Sequence, residues 1–149
     1  MILPDVNLLL YVHDEGSPEH EKAKQWWTDL AERSVQVGLP WAVAMAFVRI
    51  ATNPRVQRVP LTAGSALDFV EDWFRMEHVQ VLEPGPRHLL LVRQLLEAAG
   101  VAVHLTTDAH LAALAIEHQC ELHSNDADFS RFPGLRWFNP LTAKPSGRP

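Results

Sequence analysis

The amino-terminal stretch Ile2-Leu3-Pro4-Asp5-Val6-Asn7-Leu8-Leu9 decides the fold, because it is apolar except at Asp5 and Asn7. Such a run is typical of a buried strand that passes directly into a turn or a helix. We therefore predict a strand over Met1–Pro4, with Asp5 at its carboxyl end. An acid at this point is costly to bury unless it is paired or coordinated, and this favours a functional role for Asp5.

The rest of the chain alternates between helix and strand patterns. Helices are predicted to start near Ser17-Pro18, over Trp41–Thr52, from Thr62, from Pro86 to Gly100, and from a cap at Thr106 or Thr107. Further strands are predicted over Val35–Leu39, Val79–Leu82, Cys120–His123 and Arg136–Phe138. Strands separated by helices predict a three-layer α/β/α fold, in which a central, mainly parallel sheet carries helices on both faces and a ligand crevice at the carboxyl ends of its strands.

Length and composition fit a single globular domain. The chain has 149 residues, 47% of them hydrophobic and 21% charged, and we expect one compact unit over residues 1–142 followed by a flexible tail over 143–149. The lone Cys120 permits no internal disulfide. The longest apolar stretch, Trp41–Val48, is far shorter than the ~20 residues of a membrane-spanning helix. We expect a cytoplasmic protein with no membrane partner.

Charge argues against one way of binding nucleic acid. The formal net charge of −5 disfavours tight, nonspecific binding through a broadly basic surface. It leaves room for a local basic rim. Arg49, Arg55 and Arg58 lie on or just after the Trp41–Thr52 helix, where they either contact nucleic-acid phosphates or are solvated surface residues.

Four acids are predicted at strand ends or helix starts: Asp5, Asp108, Asp126 and Asp128. The topology allows all of them to line one crevice, where converging carboxylates repel each other unless a hard cation such as Mg²⁺ or Mn²⁺ neutralises them. Taken singly, Asp108 has a simpler explanation at a helix amino terminus, and Asp126 and Asp128 have one in a turn.

Other catalytic groups are poorly supported by the sequence. Cys120 lies in an apolar strand context, and no serine stands in a Gly-x-Ser-x-Gly elbow, so water is the expected nucleophile. The eight histidines form no His-Glu-x-x-His zinc motif. Only His110 lies near an acid of interest, and we expect it to be a surface histidine.

Three motifs together resemble those of a known family. They are the opening stretch Ile2–Leu9, the segment Thr107-Asp108-Ala109-His110-Leu111-Ala112-Ala113-Leu114-Ala115, and the segment Ser124-Asn125-Asp126-Ala127-Asp128-Phe129-Ser130-Arg131-Phe132-Pro133-Gly134-Leu135. In order and spacing they resemble PIN-domain ribonucleases and, more narrowly, the VapC toxins of bacterial toxin–antitoxin pairs. The resemblance implies a metal-dependent endoribonuclease that cuts structured RNA, often transfer RNA, and that is silenced by a VapB-like antitoxin.

The same resemblance assigns roles to individual residues. Asp5, Asp108 and Asp126 match the family's catalytic acids: the first two hold the metal, and Asp126 supports a metal or its waters. Asn7 matches a small polar position near the first acid, and Asp128 belongs to the same motif as Asp126. Mg²⁺ is the implied cofactor, with Mn²⁺ as a substitute.

One position departs from the family pattern. Arg49 matches an arginine that commonly follows a catalytic glutamate by three residues, and this places Ala46 where the glutamate is expected. No Asp or Glu occurs between Arg33 and Leu67, so no neighbour can replace it. The alternative that follows is a weakly catalytic or non-catalytic domain that binds RNA or antitoxin.

Two further expectations concern partners and a competing class. Trp26, Trp27, Trp73 and Phe74 lie on predicted helices and belong to the core or to a homodimer interface rather than to a base-stacking platform. A receiver-like or phosphatase-like domain using Asp5 as its nucleophile is disfavoured, because Asn7 occupies the place of its second acid and the only late lysine, Lys144, lies in the tail.

Overall fold

The computed structural model describes residues 1–100 and 104–142. Its sheet has five parallel strands in the order β3-β2-β1-β4-β5. The strands are β1 (Ile2–Pro4), β2 (Val37–Pro40), β3 (Val79–Leu82), β4 (Glu121–His123) and β5 (Trp137–Phe138). The first strand is thus central, and the direction in which strands are added reverses beside it, where an open α/β sheet binds its ligands.

Six α-helices cover the sheet within the described residues. They are α1 (Val6–His13), α2 (His20–Glu32), α3 (Trp41–Ala51), α4 (Ala63–Arg75), α5 (His88–Ala99) and α6 (Thr106–Glu117). A short 3₁₀ helix, Ala127–Arg131, lies between β4 and β5. Helices α1 to α4 connect β1 to β2 and β3 and pack on each other, whereas α5 and α6 pack together on the way back to β4. Right-handed crossovers place these two groups on opposite faces of the sheet, and the predicted three-layer architecture is confirmed.

The local signals in the sequence explain most element boundaries. Thr62 accepts a hydrogen bond from the Ser65 N–H at 3.1 Å and caps α4, as predicted. Gly100 ends α5 with φ of +73°, the left-handed conformation that favours glycine at this position. The cap predicted for α6 is wrong, because Thr106 is already its first helical residue and Leu105 precedes it without a side-chain cap.

Some elements differ from the prediction in their boundaries or in their buried face. The helix expected near Ser17-Pro18 begins at His20, and the strand expected over Val35–Leu39 runs from Val37 to Pro40. Helix α6 was expected to bury one apolar face, but Leu111–Ala115 is buried continuously. The predicted tail, residues 143–149, lies outside the described residues.

The core explains the tryptophan content. Trp26, Trp27 and Trp73 are 8%, 9% and 2% exposed, so they belong to the core, while Phe74 packs against it only partly buried. Cys120 is buried and free. Across residues 1–100 and 104–142, none of the helices combines the length and the apolar character needed to cross a bilayer.

Candidate active site

Asp5 lies at the carboxyl end of the central strand, as predicted. It caps α1: its Oδ1 accepts a hydrogen bond from the Val6 N–H at 2.7 Å, and its own N–H donates to the His123 carbonyl at 2.9 Å. The side chain is buried, with only 8% of the residue exposed. Burial raises the pKa of the Asp5 carboxyl, hydrogen bonds from Ser124 and Val6 oppose the rise, and the negative charge of Asp126 adds to it.

Ser124 is the residue that holds this site together, and the sequence analysis did not identify it. Its hydroxyl donates to Asp5 Oδ2 at 2.7 Å and accepts from Asn7 Nδ2 at 3.2 Å and from the Asp126 N–H at 2.9 Å. The residue is fully buried. A signal for it exists in the strand register: Pro4 pairs with His123, so the residues that follow, Asp5 and Ser124, are neighbours.

Asp108 approaches the same site from the first turn of α6. Partial burial raises the pKa of its carboxyl to about 6, and the negative charges of Asp5, Asp126 and Asp128 contribute to the rise. The four acids predicted to line one crevice therefore influence each other electrostatically, although Asp5 is distant from the other three in the sequence. A cation in this crevice would relieve the repulsion.

Asp126 and Asp128 are more exposed than the other two acids. Asp126 caps the 3₁₀ helix by accepting from the Asp128 N–H at 2.8 Å, and Asp128 Oδ1 lies 3.5 Å from Arg131 Nε. The prediction that Asp126 and Asp128 stabilise a turn is thus confirmed. The Asp126 N–H donates to the Ser124 hydroxyl, which donates to Asp5. Asp126 can therefore stabilise the turn and also contribute to the site around Asp5.

The donors fit a hard divalent cation in their chemistry. They are carboxylate oxygens, and Asn7 adds an amide oxygen, Oδ1, that is buried and has no hydrogen-bond partner. Among residues 1–100 and 104–142, no three carboxylate, imidazole or thiol groups lie close enough together to hold one ion by themselves. Mg²⁺ is often bound by one or two carboxylates, with waters and substrate phosphates completing its coordination, so this arrangement is compatible with such an ion.

Ala46 and Arg49 lie on α3, whereas Arg55 and Arg58 lie in the loop that follows it. Ala46 and Arg49 lie one turn apart on α3, where Ala46 is partly buried and Arg49 is exposed. Arg55 and Arg58 are exposed in the following loop. Arg58 lines a cavity of about 380 Å³ together with His13 at the end of α1. Asp5 caps the start of that helix, so the structure does not bring Arg58 to the carboxylates.

His110 is not the solvated surface residue that was expected. It is partly buried, and its Nδ1 lies 2.8 Å from His88 Nε2. Burial and the neighbouring His88 lower the pKa of the His110 imidazole. A separation of two residues on α6 directs His110 and Asp108 to different sides of the helix.

The sequence of the chain is similar to those of known proteins. Residues 2–135 match the family described as PIN domain. The chain is 45% identical over 141 residues, 95% of its own length and 99% of the relative's, to Ribonuclease VapC33 of Mycobacterium tuberculosis. The resemblance inferred from the three sequence motifs is confirmed by these matches.

Solved structures are similar in fold. VapBC2 from Rickettsia felis, bound to a DNA fragment from their promoter, matches with a TM-score of 0.66 and 17% identity, covering 93% of this chain and 98% of that one. Mycobacterium tuberculosis VapC20, a sarcin–ricin loop cleaving toxin, matches with a TM-score of 0.60 and 18% identity, covering 91% and 99%.

Proposed function

Because the chain belongs to the PIN domain family and, within it, to the VapC ribonucleases, we propose that it is a metal-dependent endoribonuclease and the toxin of a toxin–antitoxin pair. The observation that carries the proposal is the convergence of acids from separate segments: burial raises the pKa of Asp108 to about 6, and the negative charges of Asp5, Asp126 and Asp128 contribute to the rise. Carboxylates with perturbed pKa values at the carboxyl edge of a parallel sheet are characteristic of a functional site.

Asp5, Asp108 and Asp126 are the proposed catalytic and metal-binding residues. Asp5 and Asp108 would hold the ion directly, and Asp126 would support the ion or its waters, as the family pattern implies. Mg²⁺, or Mn²⁺ in its place, supplies the positive charge that neutralises the carboxylates, polarises a phosphoryl oxygen and lowers the pKa of a water molecule. Asn7 and Asp128 support this arrangement.

The residues around Asp5 fix its orientation. Its Oδ1 is held by the Val6 N–H and its Oδ2 by the Ser124 hydroxyl, so the carboxylate has little freedom to turn. Asn7 Nδ2 donates to the same hydroxyl, and the buried Oδ1 of Asn7 has no protein partner, so it can accept a hydrogen bond from a water. A preorganised site of this kind loses little energy to reorganisation during reaction.

The proposed substrate is structured RNA, with transfer RNA as the first class to test. Arg49 and Arg55 are the proposed contacts to RNA phosphates, because a chain of net charge −5 must use local positive charge for this purpose. Arg58 would contribute less to RNA binding, since it lies near the end of α1 that is opposite to Asp5. An RNA substrate also implies action in the cytoplasm.

A VapB-like antitoxin and a homodimer are the proposed assemblies. The buried Trp26, Trp27 and Trp73 cannot supply the surface for them. An apolar groove between α3 and α4 can, because Met45 and Leu67 are 45% and 44% exposed at its rim. Sedimentation of the isolated chain and of the chain co-expressed with its neighbouring gene tests both assemblies, and a strict monomer that copurifies with no product of that gene would contradict them.

A second candidate function is an RNA- or antitoxin-binding domain with little catalysis. Ala46 in place of the family's glutamate favours it, and so does the finding that, among residues 1–100 and 104–142, no three such ligating groups lie close enough to hold one ion. RNA binding without cleavage at every Mg²⁺ and Mn²⁺ concentration would select this alternative.

The test of the proposed function is an RNA cleavage assay that identifies the product ends. We would incubate the purified chain with transfer RNA and with a ribosomal RNA fragment containing the sarcin–ricin loop, in Mg²⁺, Mn²⁺ or a chelator. Attack by water leaves no 2′,3′-cyclic phosphate, whereas attack by the RNA 2′-hydroxyl does. Ion-dependent cleavage without cyclic phosphate is expected; cleavage that persists in the chelator or yields cyclic phosphate would overturn the proposal.

A further inference from the structure

A buried histidine on β4 has hydrogen-bond partners on both of its ring nitrogens. His123 Nδ1 accepts from Trp26 Nε1 of α2 at 3.0 Å, and its Nε2 lies 2.8 Å from Glu121 Oε1. The side chain of His123 is 6% exposed, and Trp26 is 8% exposed. Buried polar groups are costly unless they are paired, so this contact fixes how α2 packs on the end of β4.

The partners of His123 determine which nitrogen carries the proton. An indole N–H can only donate, so Nδ1 of His123 is the acceptor and carries no proton. The proton of the neutral ring is then on Nε2, where it donates to the Glu121 carboxylate. Because this tautomer alone satisfies both contacts, the ring has one orientation between α2 and the strand.

His123 and the residue after it both hold Asp5. The His123 carbonyl accepts from the Asp5 N–H at 2.9 Å, and the Ser124 hydroxyl donates to Asp5 Oδ2 at 2.7 Å. The second distance is the usual optimum for an O–H···O hydrogen bond, and an increase of about 0.5 Å would largely break it. The place of the Asp5 carboxylate therefore depends on where β4 ends.

The short strands at this edge of the sheet fix the end of β4 with few backbone hydrogen bonds. Strands β4 and β5 have three and two residues. The Ser124 N–H donates to the Phe138 carbonyl at 3.1 Å, and the Ser124 carbonyl accepts from Trp137 Nε1, also at 3.1 Å. Two indole N–H groups thus hold consecutive residues: Trp26 holds His123, and Trp137 holds Ser124.

We propose that Trp26, His123 and Trp137 are positioning residues for RNA cleavage, which act by fixing Ser124 and, through it, the Asp5 carboxylate. This inference rests on the proposed function. The three side chains act on the reaction through Ser124, and their contribution is to keep a metal-binding carboxylate within about 0.5 Å of its productive place. Outer groups that orient such ligands commonly matter by ~10–100-fold in metal affinity or activity.

Two variants of equal shape test the role of His123. Asparagine places its Oδ1 near the position of His Nδ1 and can still accept from Trp26, whereas leucine has the same shape and no acceptor. His123→Leu should lower kcat about 10-fold and leave KM for RNA unchanged, while His123→Asn should keep kcat within about 3-fold of the wild type. Both are measured at a temperature where circular dichroism shows them folded. Equal kcat values for the two folded variants would overturn the proposal.

The indole donors are tested in the same assay. Trp26→Phe should lower kcat about as much as His123→Leu, and combining the two should cost little more, because both remove one hydrogen bond. Trp137→Phe should also lower kcat, since it frees the Ser124 carbonyl. The matched control is Trp27→Phe, which shortens a neighbouring ring that is 9% exposed and lies 5.7 Å from that of Trp26. Full additivity of Trp26→Phe and His123→Leu, or an equal loss in the control, would contradict the positioning role.

Hydrogen exchange separates this proposal from the proposed function, because it requires no cleavage. The amides of Asp5 and Ser124, followed by NMR in the metal-free protein, report the hydrogen bonds on both sides of the end of β4. Exchange at both should be at least about 10-fold faster in His123→Leu than in Trp27→Phe. If the wild type cuts no RNA and this difference is found, the proposed function fails while the fixing of Asp5 stands. Equal exchange in the two variants would overturn the inference.

Discussion

Replacing Asp108 with asparagine should stabilise the metal-free protein at neutral pH. The pKa of the Asp108 carboxyl is raised from its ordinary 3.8 to about 6 by burial and by the neighbouring acids. Above pH 6 the folded protein therefore carries a charge that its surroundings disfavour. Asparagine keeps the size of the side chain and removes that charge, so the destabilisation should disappear.

The pKa shift of Asp108 determines the size and the sign of the expected difference in the free energy of unfolding. A rise from 3.8 to about 6 corresponds to at most about 3 kcal/mol. Because Asp108 is only partly buried, solvent screening leaves roughly 1–2 kcal/mol. Between pH 4 and 6 the folded state binds more protons than the unfolded state, so this carboxyl makes stability fall as the pH rises through that range. The difference between variant and wild type should be present at pH 7.5 and nearly absent at pH 4.

Urea unfolding in a chelator, at pH 7.5 and at pH 4, measures this difference directly. Asp68→Asn, which changes an exposed carboxylate on α4, serves as the control and should alter stability little at either pH. Addition of Mn²⁺ should favour the wild type over Asp108→Asn, because an ion that binds the folded state stabilises it. An Asp108→Asn variant that is no more stable than the wild type at pH 7.5 without metal would refute the idea that burial and the neighbouring carboxylates make the Asp108 charge unfavourable.

Three further substitutions test other parts of the account. Ala46→Glu should lower the Mg²⁺ or Mn²⁺ concentration that gives half-maximal RNA cleavage by about 10-fold, with little effect when Asp5 is also replaced. If this concentration does not change in a folded variant, Ala46 is not the missing ligand position. Ser124→Ala should cost about 1–3 kcal/mol in urea unfolding, because it leaves Oδ2 of the buried Asp5 carboxylate without its donor, and a loss near zero would show that water replaces the hydroxyl. Burial lowers the pKa of His13 to about 4, so between about pH 6.5 and 4 the unfolded protein binds a proton at this residue that the folded protein does not, and stability falls as the pH drops. Thermal unfolding of His13→Leu should lack this acid-dependent loss, and parallel pH profiles for variant and wild type would contradict this prediction.

The fold was predictable because its signals are local. The apolar opening run, the Thr62 cap and Gly100 each determine a boundary through nearby residues alone, and the structure has them where the sequence predicts. Helix α6 shows the limit of local signals. Its sides are buried between the sheet and α5, so an amphipathic pattern could not locate its exposed face.

The candidate site was predictable where it depends on acids and not where it depends on neutral polar groups. An acid after a buried strand, such as Asp5, is conspicuous because its burial is costly. A serine in the equivalent position is common, and the role of Ser124 follows only from the pairing of β1 with β4. His110 was expected at the surface, and its contact with His88 depends on the packing of α5 against α6, which no local pattern reveals.

The most direct test of the central claim is a Mn²⁺ titration of RNA cleavage by the wild type and by Asp5→Asn, with folding verified by circular dichroism. The account predicts saturable, ion-dependent cleavage by the wild type and a loss of both ion binding and cleavage in the folded variant, since asparagine removes the charge that attracts the ion. Equal ion-dependent cleavage by a folded Asp5→Asn protein would contradict the claim that the acids at the carboxyl edge of the sheet form the active site.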